Sequence, residues 1–350
     1  MRAAAIFGLG SSTRDLQPFQ KSSTAEWAIG LPSDRAGLDA ILVFGGDGTV
    51  HRHLTALVRL ALPVLVVPAG SGNDFARALG LLRVHHSLAA WQKFVAEEPN
   101  LRTVDLGVIR PLGAGTKTAS EAAFDEGTEV ARVARLTACP ATSPTQPDFG
   151  RTEWKQTGSA RLAQHAHSQD FEPTMSAAVY FSCAAGVGLD GEITRRANAL
   201  PRWLRAHGGY ALSLPGALLG FRPFRLRLCT SQGNDDAEFL PRSEQPVVAA
   251  VFANTPVYGG GMRVAPRAQI DDGQVDVCII RDIPKLKLLS VFPTVYFGRH
   301  LGIREVEYFT AARARVQTER PMDVYADGEY VCRTPFEVGV ASGVLRVLVP

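Results

Sequence analysis

The stretch from Ile41 to Gly80 constrains the fold more than any other part of this sequence. It contains two short apolar runs rich in β-branched residues, Ile41–Phe44 and Pro63–Val67, and each run is closed by a glycine-rich turn. Between the runs, apolar residues recur at helical spacing, namely Leu54, Leu57, Val58 and Ala61. Buried parallel strands joined by a crossover helix have this pattern. In a right-handed βαβ unit both glycine turns lie at the carboxyl edge of the sheet, where ligands bind.

The two turns have the residue types of a phosphate-binding site. They consist of Gly45, Gly46, Asp47, Gly48 and Thr49, and of Gly70, Ser71, Gly72 and Asn73. Glycines let backbone N–H groups approach a phosphate closely, and the N-terminus of the following helix favours its negative charge. Asp47 would repel a phosphate, so we interpret its carboxylate as ordering a magnesium ion or its water, or as accepting a proton. One such turn alone would be only a turn. Two turns on one sheet edge, one of them with an acid, predict a polyphosphate site.

These motifs resemble those of a known family. GGDGT followed by PAGSGNDFAR is similar to the diacylglycerol kinase catalytic domain, which bacterial lipid kinases, sphingosine kinases and ceramide kinases share. GGDG turns also occur in NAD kinases and phosphofructokinases, whereas the second motif is more specific to lipid kinases. Tyr258–Val277 and Ala326–Glu329 match as well, so the resemblance covers most of the chain except residues 1–40 and a central insert. It implies an α/β nucleotide-binding domain, a mainly antiparallel β-sandwich domain, and an active cleft between them.

The sequence departs from that family at two places. After the first predicted strand, Ala3–Gly8, the family usually has an Asn-Pro-x-Ser-Gly loop that helps to bind nucleotide, and here Gly10-Ser11-Ser12 takes its place. Where many members have Asn-Glu after GGDGT and one apolar residue, this chain has His51-Arg52. Either side chain could contact a phosphate or form a solvated face of the helix. A dehydrogenase site on the first strand has weak support, because Thr13 stands where the third glycine belongs.

Composition narrows the class of protein. The chain has 350 residues, 46% of them hydrophobic, which is enough for a large core and predicts two domains. A net charge of +3 is too small to indicate nucleic-acid binding. The five cysteines have no CxxC spacing and there is no secretory signal, so reduced thiols in the cytosol are expected. Charges and prolines interrupt every apolar stretch of candidate transmembrane length. We therefore expect a cytoplasmic protein, soluble or peripheral on the inner membrane face, and leave a homo-oligomer open.

The chain order predicts three segments. Residues 1–110 form the α/β nucleotide-binding domain, which includes an amphipathic helix over Val84–Glu98. Residues 111–174 are rich in Gly, Ala, Ser, Thr, Pro and Gln, and are interpreted as an insertion that forms a long loop or a flap. Residues 175–350 contain many short β-branched runs and are predicted to form a β-rich domain, which the resemblance makes the lipid-substrate domain.

A basic cluster marks the start of the second domain. It contains Arg195, Arg196, Arg202, Trp203 and Arg205. The cluster could hold anionic lipid headgroups or contact a membrane surface. Ordinary solvated arginines on a helix explain it about equally well.

Two acidic turns complete the candidate site. Asp271-Asp272-Gly273 is a tight turn between β segments, and such turns are mostly structural. The resemblance implies that Asp272 holds a magnesium ion with the backbone carbonyls of Gln269 and Gln274, oxygen donors that suit a hard cation. The magnesium bound to ATP would be a separate ion. The second turn, Asp327-Gly328-Glu329, would be a simple hairpin turn without the resemblance, which places the proton-accepting carboxylate at Glu329 with Asp327 in support.

Residues and resemblance together predict an ATP- and magnesium-dependent lipid kinase. ATP would lie across the two glycine turns, and the hydroxyl of a lipid at the membrane surface would enter from the second domain. A nucleotide-binding regulator that has lost catalysis, or a kinase for a soluble alcohol, stays open as an alternative. The sequence does not identify the acceptor, which could be diacylglycerol, a sphingoid base, phosphatidylglycerol or another alcohol.

Overall fold

The computed structural model of the protein describes residues 1–113, 178–201, 209–233 and 238–350. Of the expected insertion at 111–174, only residues 111–113 are therefore described, and the rest of that prediction lies outside the described residues. Arg202, Trp203 and Arg205 also lie outside them.

Residues 1–100, all of them described, form a parallel sheet with helices. The strands are β1 (Arg2–Phe7), β2 (Glu26–Ile29), β3 (Ala40–Gly45) and β4 (Val64–Pro68). The helices are α1 (Thr13–Lys21), α2 (Asp47–Leu60), α3 (Asp74–Ala78) and α4 (Val84–Val95). The four strands pair in parallel in the order β4-β3-β1-β2, so β3, α2 and β4 form the predicted βαβ unit.

The hydrophobic pattern explains why these segments adopt these structures. Every residue of β3 is buried, as expected for a central strand covered on both faces. Helix α2 buries Val50, Leu54, Leu57 and Leu60 against the sheet, while Ala61, predicted to face the core, is its exposed left-handed C-cap. Helix α4 ends at Val95, three residues before the predicted end at Glu98. Its fully buried Trp91 packs against the same core.

The described residues after 100 form eleven further strands. These are β5 (Leu101–Pro111), β6 (Val179–Phe181), β7 (Ala184–Gly188), β8 (Phe224–Ser231), β9 (Leu240–Ala253), β10 (Val275–Arg281), β11 (Val306–Ala311), β12 (Arg313–Thr318), β13 (Asp323–Ala326), β14 (Glu329–Arg333) and β15 (Phe336–Leu348). The helices among them are α5 (Leu189–Ala199), α6 (Gly209–Gly220) and α7 (Lys285–Val291), followed by two short 3-10 helices, Phe292–Phe297 and Arg299–Gly302. The strands pair antiparallel in the order β14-β13-β7-β9-β8-β12-β15, with β10 and β11 continuing from β9. The fold predicted for this half is confirmed.

One long antiparallel ladder runs through both halves. Strands β5 and β15 pair from Leu101 with Leu348 to Pro111 with Phe336, with an irregularity between Ala341 and Leu345. At its far end β15 also pairs in parallel with β4, through Val347 and Val64. The fifteen described strands therefore form one hydrogen-bonded sheet, and backbone hydrogen bonds fix the two halves to each other.

The two largest of four apolar clusters among the described residues pack on this sheet. One lies under the helices of the first half and contains Phe19, Phe44 and Phe75, and the other lies between the antiparallel strands and contains Phe252 and Phe336 in edge-to-face contact. None of the described helices has the length and apolar character needed to span a membrane.

The ladder provides a test of the fold. A Cβ atom on Gly107 of β5 would overlap the ring of Phe181, so Gly107→Ala should lower the free energy of unfolding by about 1–3 kcal/mol. Chemical denaturation measures this loss. Gly302→Ala is the matched control, because nothing lies within 4 Å of that position, and it should change stability by less than about 0.5 kcal/mol. Equal stability of the two variants would contradict the packing described here.

Candidate active site

The two glycine turns contact each other at the carboxyl edge of the parallel sheet. A Cβ atom on Gly46 would lie 2.9 Å from the Cα atom of Gly70, so neither position has room for a side chain. Gly46 is also the N-cap of α2, and no side chain caps that helix. The first N–H groups of α2 are consequently available to an anionic ligand. The turns that the sequence predicted to meet are therefore brought together.

Several residues of the two glycine turns stabilise the turns themselves. Asn73, in a left-handed conformation, closes the second turn because its Oδ1 accepts a hydrogen bond from the Gly70 N–H at 2.9 Å and its Nδ2 donates to the Gly70 carbonyl. The Thr49 side chain fills the space left by Gly8 and Gly45, where a Cβ atom at either glycine would overlap it. Ser71 is exposed.

The carboxylate of Asp47 joins the first turn to the second. Its Oδ2 accepts from the Asp74 N–H at 3.0 Å and its Oδ1 from the Phe75 N–H at 2.9 Å, so both oxygens bind the N-terminus of α3. Burial, and next the charge of Asp74, raise the pKa of Asp47 to about 7. Gly72 lies so close that a Cβ atom there would be 2.7 Å from Asp47 Oδ2. Asp47 is thus a partly buried carboxyl group that binds a proton far more readily than an exposed aspartate.

Asp74 was not predicted as a site residue, although it belongs to the SGNDFAR motif. It is 3% exposed, pairs with Arg77, and accepts a hydrogen bond from the Gly260 N–H at 2.7 Å. The Gly259–Gly261 turn of the second half is thereby fixed to α3 of the first. The sequence alone contains no signal for this contact, because Asp74 and the Gly259–Gly261 turn are brought together only by the fold.

Asp327 is a buried anchor for the backbone between β6 and β7. Its carboxylate accepts hydrogen bonds from the N–H groups of Ser182 at 2.6 Å, Cys183 at 2.8 Å and Ala184 at 3.3 Å, and from the Ser182 hydroxyl at 3.0 Å. Its own backbone is left-handed, with φ of 49°. These contacts hold the turn that carries Glu329.

Glu329 is exposed and lies over the first turn of α2. Its Oε1 is 3.1 Å from the position that a Cβ atom on Gly48 would occupy. Glycine at position 48 therefore leaves room for this carboxylate beside the uncapped helix N-terminus. The acidic turn of the second half and the GGDGT turn of the first thus meet at one place.

His51 connects these two turns. Its Nδ1 lies 3.2 Å from Asp327 Oδ2, and the imidazole is largely buried. Burial acts to lower the pKa of His51, but the hydrogen bond and charge of Asp327, together with Glu329, outweigh it and raise the pKa above the usual value. The neighbouring Arg52 is exposed. Of the two interpretations that the sequence left open, neither describes His51, because its partner is a carboxylate of the second half.

The predicted metal turn is a separate feature. Asp272 Oδ1 accepts from the Gln274 N–H at 3.0 Å, and the buried Asp105 beneath it accepts from the N–H groups of Gly273 and Gly343, both at 2.7 Å. Burial, with the charges of Asp105 and Asp271 adding to it, raises the pKa of Asp272. Within the described ranges no group of three or more His, Cys, Asp and Glu side chains is arranged to hold a metal ion.

Comparison with known proteins identifies the class of this site. Residues 15–109 match the sequence model of the diacylglycerol kinase catalytic domain, and residues 183–349 match that of the YegS C-terminal NAD kinase beta sandwich-like domain. The fold and the site therefore define a phosphotransferase of the lipid kinase class. Over residues 15–109 the chain is similar to the diacylglycerol kinase catalytic domain family.

Individual relatives agree with this assignment. A diacylglycerol kinase of Mycobacterium tuberculosis is 28% identical over 315 residues, which are 90% of this chain and 78% of that protein. A diacylglycerol kinase of Bacillus subtilis is 23% identical over 301 residues, which are 85% of this chain and 74% of that protein. The crystal structure of a diacylglycerol kinase from Bacillus anthracis str. Sterne has the same fold, with a TM-score of 0.57, 15% identity, and coverage of 100% of this chain and 97% of that chain.

The raised pKa of Asp47 leads to a prediction for stability. A folded-state pKa of about 7, against 3.8 for an ordinary aspartate, means that the folded protein binds this proton more tightly than the unfolded chain. The associated stability is present at low pH and is lost as the pH rises from about 4 to about 7. The loss is at most about 4 kcal/mol. Asp47→Asn has no charge to titrate, so the wild type should lose more stability than this variant between pH 5 and pH 8.

Denaturant unfolding of both proteins at the two pH values, without nucleotide or divalent ions, measures this difference. Other buried carboxyl groups, Asp190 and Asp276, have a pKa of about 6 and contribute in the same direction. They are present in both proteins and cancel in the comparison. Parallel stability curves would show that Asp47 is already ionised at pH 5.

Proposed function

We propose that the protein transfers the γ-phosphate of ATP to a lipid hydroxyl in a magnesium-dependent reaction. The observation that carries this proposal is the meeting of Glu329 with the uncapped N-terminus of α2, beside the paired glycine turns. Backbone donors suited to phosphates and a carboxylate suited to accepting a proton lie in one place. Phosphoryl transfer needs positioning and charge neutralisation rather than covalent catalysis, which is what this arrangement offers.

The residues have distinct proposed roles. The ATP phosphates lie against the residues of the two glycine turns, Gly45, Gly46, Gly48, Thr49, Gly70, Ser71, Gly72 and Asn73. Glu329 accepts the proton of the lipid hydroxyl while the hydroxyl oxygen bonds to the γ-phosphorus and ADP leaves. Asp327 is a positioning residue, because its hydrogen bonds hold the turn and leave it buried. Asp47 keeps the two glycine turns together and lies where a magnesium ion on the phosphates would meet its carboxylate.

Magnesium fits two places by the chemistry of their donors. At Asp47 the Asp74 carboxylate is adjacent, and their mutual repulsion would be relieved by a cation. At Asp272 the proposed ligands are the carboxylate and the backbone carbonyls of Gln269 and Gln274, and burial together with nearby negative charges raises the pKa of Asp272. A magnesium ion bound at these oxygens would neutralise charge on the phosphates and hold the acidic turn in place.

The proposal also covers the phosphate acceptor, the location of the enzyme and two alternative functions. The substrate is a lipid presented at the surface of the inner membrane face, which a peripheral cytoplasmic enzyme reaches without spanning the membrane. A regulator that binds nucleotide without transfer is the alternative in another class, because His51-Arg52 and the Gly10-Ser11-Ser12 loop replace family residues. A kinase for a soluble alcohol is the third.

An assay with labelled ATP separates these functions. The protein is incubated with magnesium and detergent micelles that contain diacylglycerol, a sphingoid base or phosphatidylglycerol, and labelled lipid is extracted. We expect one lipid to become labelled, and labelling to be lost with a chelator or in Asp47→Ala. Binding of ATP without labelling of any lipid would identify the regulator. A parallel reaction contains glycerol in place of the micelles, and labelling there without labelling of lipid would identify the soluble-alcohol kinase.

Glu329 and Asp327 should respond differently to mutation. Glu329→Gln keeps the shape but removes the base, so turnover should fall by about 10²–10⁴-fold with ATP affinity nearly unchanged. Its stability should change by less than about 0.5 kcal/mol because Glu329 is exposed. Asp327→Asn cannot accept all the backbone hydrogen bonds of Asp327, and it should lower the free energy of unfolding by about 1–3 kcal/mol. If both variants turn over substrate at the wild-type rate, Asp327-Gly328-Glu329 is a structural turn without a role in catalysis.

A further inference from the structure

A cavity of about 700 Å³ lies on the second half of the chain, between α5, the end of α6 and β13. We call it the arginine pocket, because five arginines line it: Arg195 and Arg196 on α5, Arg222 after α6, Arg320 before β13, and Arg333 on β14. Cavities of this size hold small-molecule ligands.

The arginines outnumber the acids that face them. Glu192 pairs with both Arg195 and Arg196, with nitrogen–oxygen distances of 2.8 and 2.6 Å, and Asp323 pairs with Arg333 at 2.8 Å. Arg222 and Arg320 have no acidic partner or hydrogen-bond acceptor for their side chains in the part of the chain that the structure describes. Both are exposed enough to reorient toward a ligand. The pocket therefore carries an uncompensated positive charge.

Tyr325 adds a hydrogen-bond donor to the lining of the pocket. The residue is 8% exposed, and its ring packs on α5, where a Cβ atom on Gly191 would be 3.2 Å from Tyr325 Cδ2. Burial, and next the charge of Asp323, raise the pKa of the Tyr325 phenol. Among the described residues the hydroxyl has no hydrogen-bond partner, so it is free to donate to an acceptor in the pocket.

We propose that the arginine pocket binds a phosphate group, carried either by a small soluble molecule or by a lipid headgroup. Arg222 and Arg320 donate charge-assisted hydrogen bonds to its oxygens, and the Tyr325 hydroxyl donates a further one. Guanidinium groups match phosphate oxygens in a fixed, bidentate geometry, which lysines would not. The remaining volume holds the group to which the phosphate is attached.

The arginine pocket is separate from the candidate active site. Asp323 and Asp327 are four residues apart along β13 and its turn, which corresponds to about 13 Å on an extended strand. A phosphate in the pocket therefore does not occupy the place proposed for ATP. The proposal concerns binding alone, and it does not depend on the proposed transfer reaction.

Binding by matched variants tests the proposal. Arg222→Gln with Arg320→Gln removes two charges without breaking an ion pair, and Arg35→Gln with Arg304→Gln removes two exposed charges elsewhere as the control. One arm titrates sn-glycerol 3-phosphate by calorimetry. The other sediments the protein with phosphatidylcholine vesicles, with and without phosphatidylglycerol. We expect the pocket variant to bind at least about tenfold more weakly than wild type, and the control to bind like wild type.

Tyr325→Phe sharpens the test. It deletes only the unpartnered hydroxyl, so thermal stability should be retained while binding weakens several-fold. A loss confined to the vesicle arm identifies a lipid headgroup as the source of the phosphate, and a loss with glycerol 3-phosphate identifies a soluble one. Wild-type binding by the pocket variant in both arms, or an equal loss in the control, would overturn the proposal.

Discussion

A single buried carboxylate, that of Asp327, joins three separate parts of the chain. The carboxylate accepts hydrogen bonds from the backbone N–H groups that lead into β7, and it contacts His51 on α2. The backbone of Asp327 belongs to the turn between β13 and β14. Hydrogen bonds to an ionised carboxylate in a buried place are strong, and leaving one of these donors without its acceptor would be costly. The position of Glu329 over α2 follows from this anchor, because Glu329 is only two residues further along the same turn.

The candidate active site contains more closely spaced acidic side chains than the stability of the fold alone would favour. Asp74 is buried and the adjacent Asp47 is partly buried. The charge of Asp327 acts on both, and each has a raised pKa whose largest cause is removal from solvent. A fold selected only for stability would replace such a pair with apolar or oppositely charged residues. Keeping the pair makes sense where a cation or a proton is to be held beside phosphates. Arg77 pairs with Asp74 and His51 with Asp327, whereas no cationic side chain among the described residues pairs with Asp47.

The parallel half could be predicted because its signals are local. The β-branched runs of β3 and β4, the helical spacing in α2 and the two glycine turns each lie within a few residues, and the fixed handedness of the βαβ unit brings the turns together. The antiparallel order of the second half could be predicted only as a class, since its pairing depends on strands far apart in sequence. The family resemblance implied Glu329 as the proton acceptor with Asp327 in support, but it did not indicate which backbone groups Asp327 binds.

Contacts between distant residues could not be predicted. His51 looked like a phosphate contact or a solvated side chain, because its partner is 276 residues further along the chain. Asp74 reaches the Gly259–Gly261 turn across 186 residues. Periodicity reports which face of an element is buried, but it carries no information on which polar group of another element meets it. Sequence identified the carboxylates, and tertiary structure alone assigned their partners.

The arginine pocket and the candidate active site share the same two supporting elements. On α5, Glu192 lines the pocket, and six residues later Asn198 donates a hydrogen bond to the Gly328 carbonyl at 2.7 Å. On β13, Asp323 lines the pocket, and the strand ends at the Asp327 turn. Gly191 permits the close packing that joins the two elements, since its missing Cβ would lie 3.2 Å from the Asp323 carbonyl. The same helix and strand therefore line the arginine pocket and support the turn that carries Glu329.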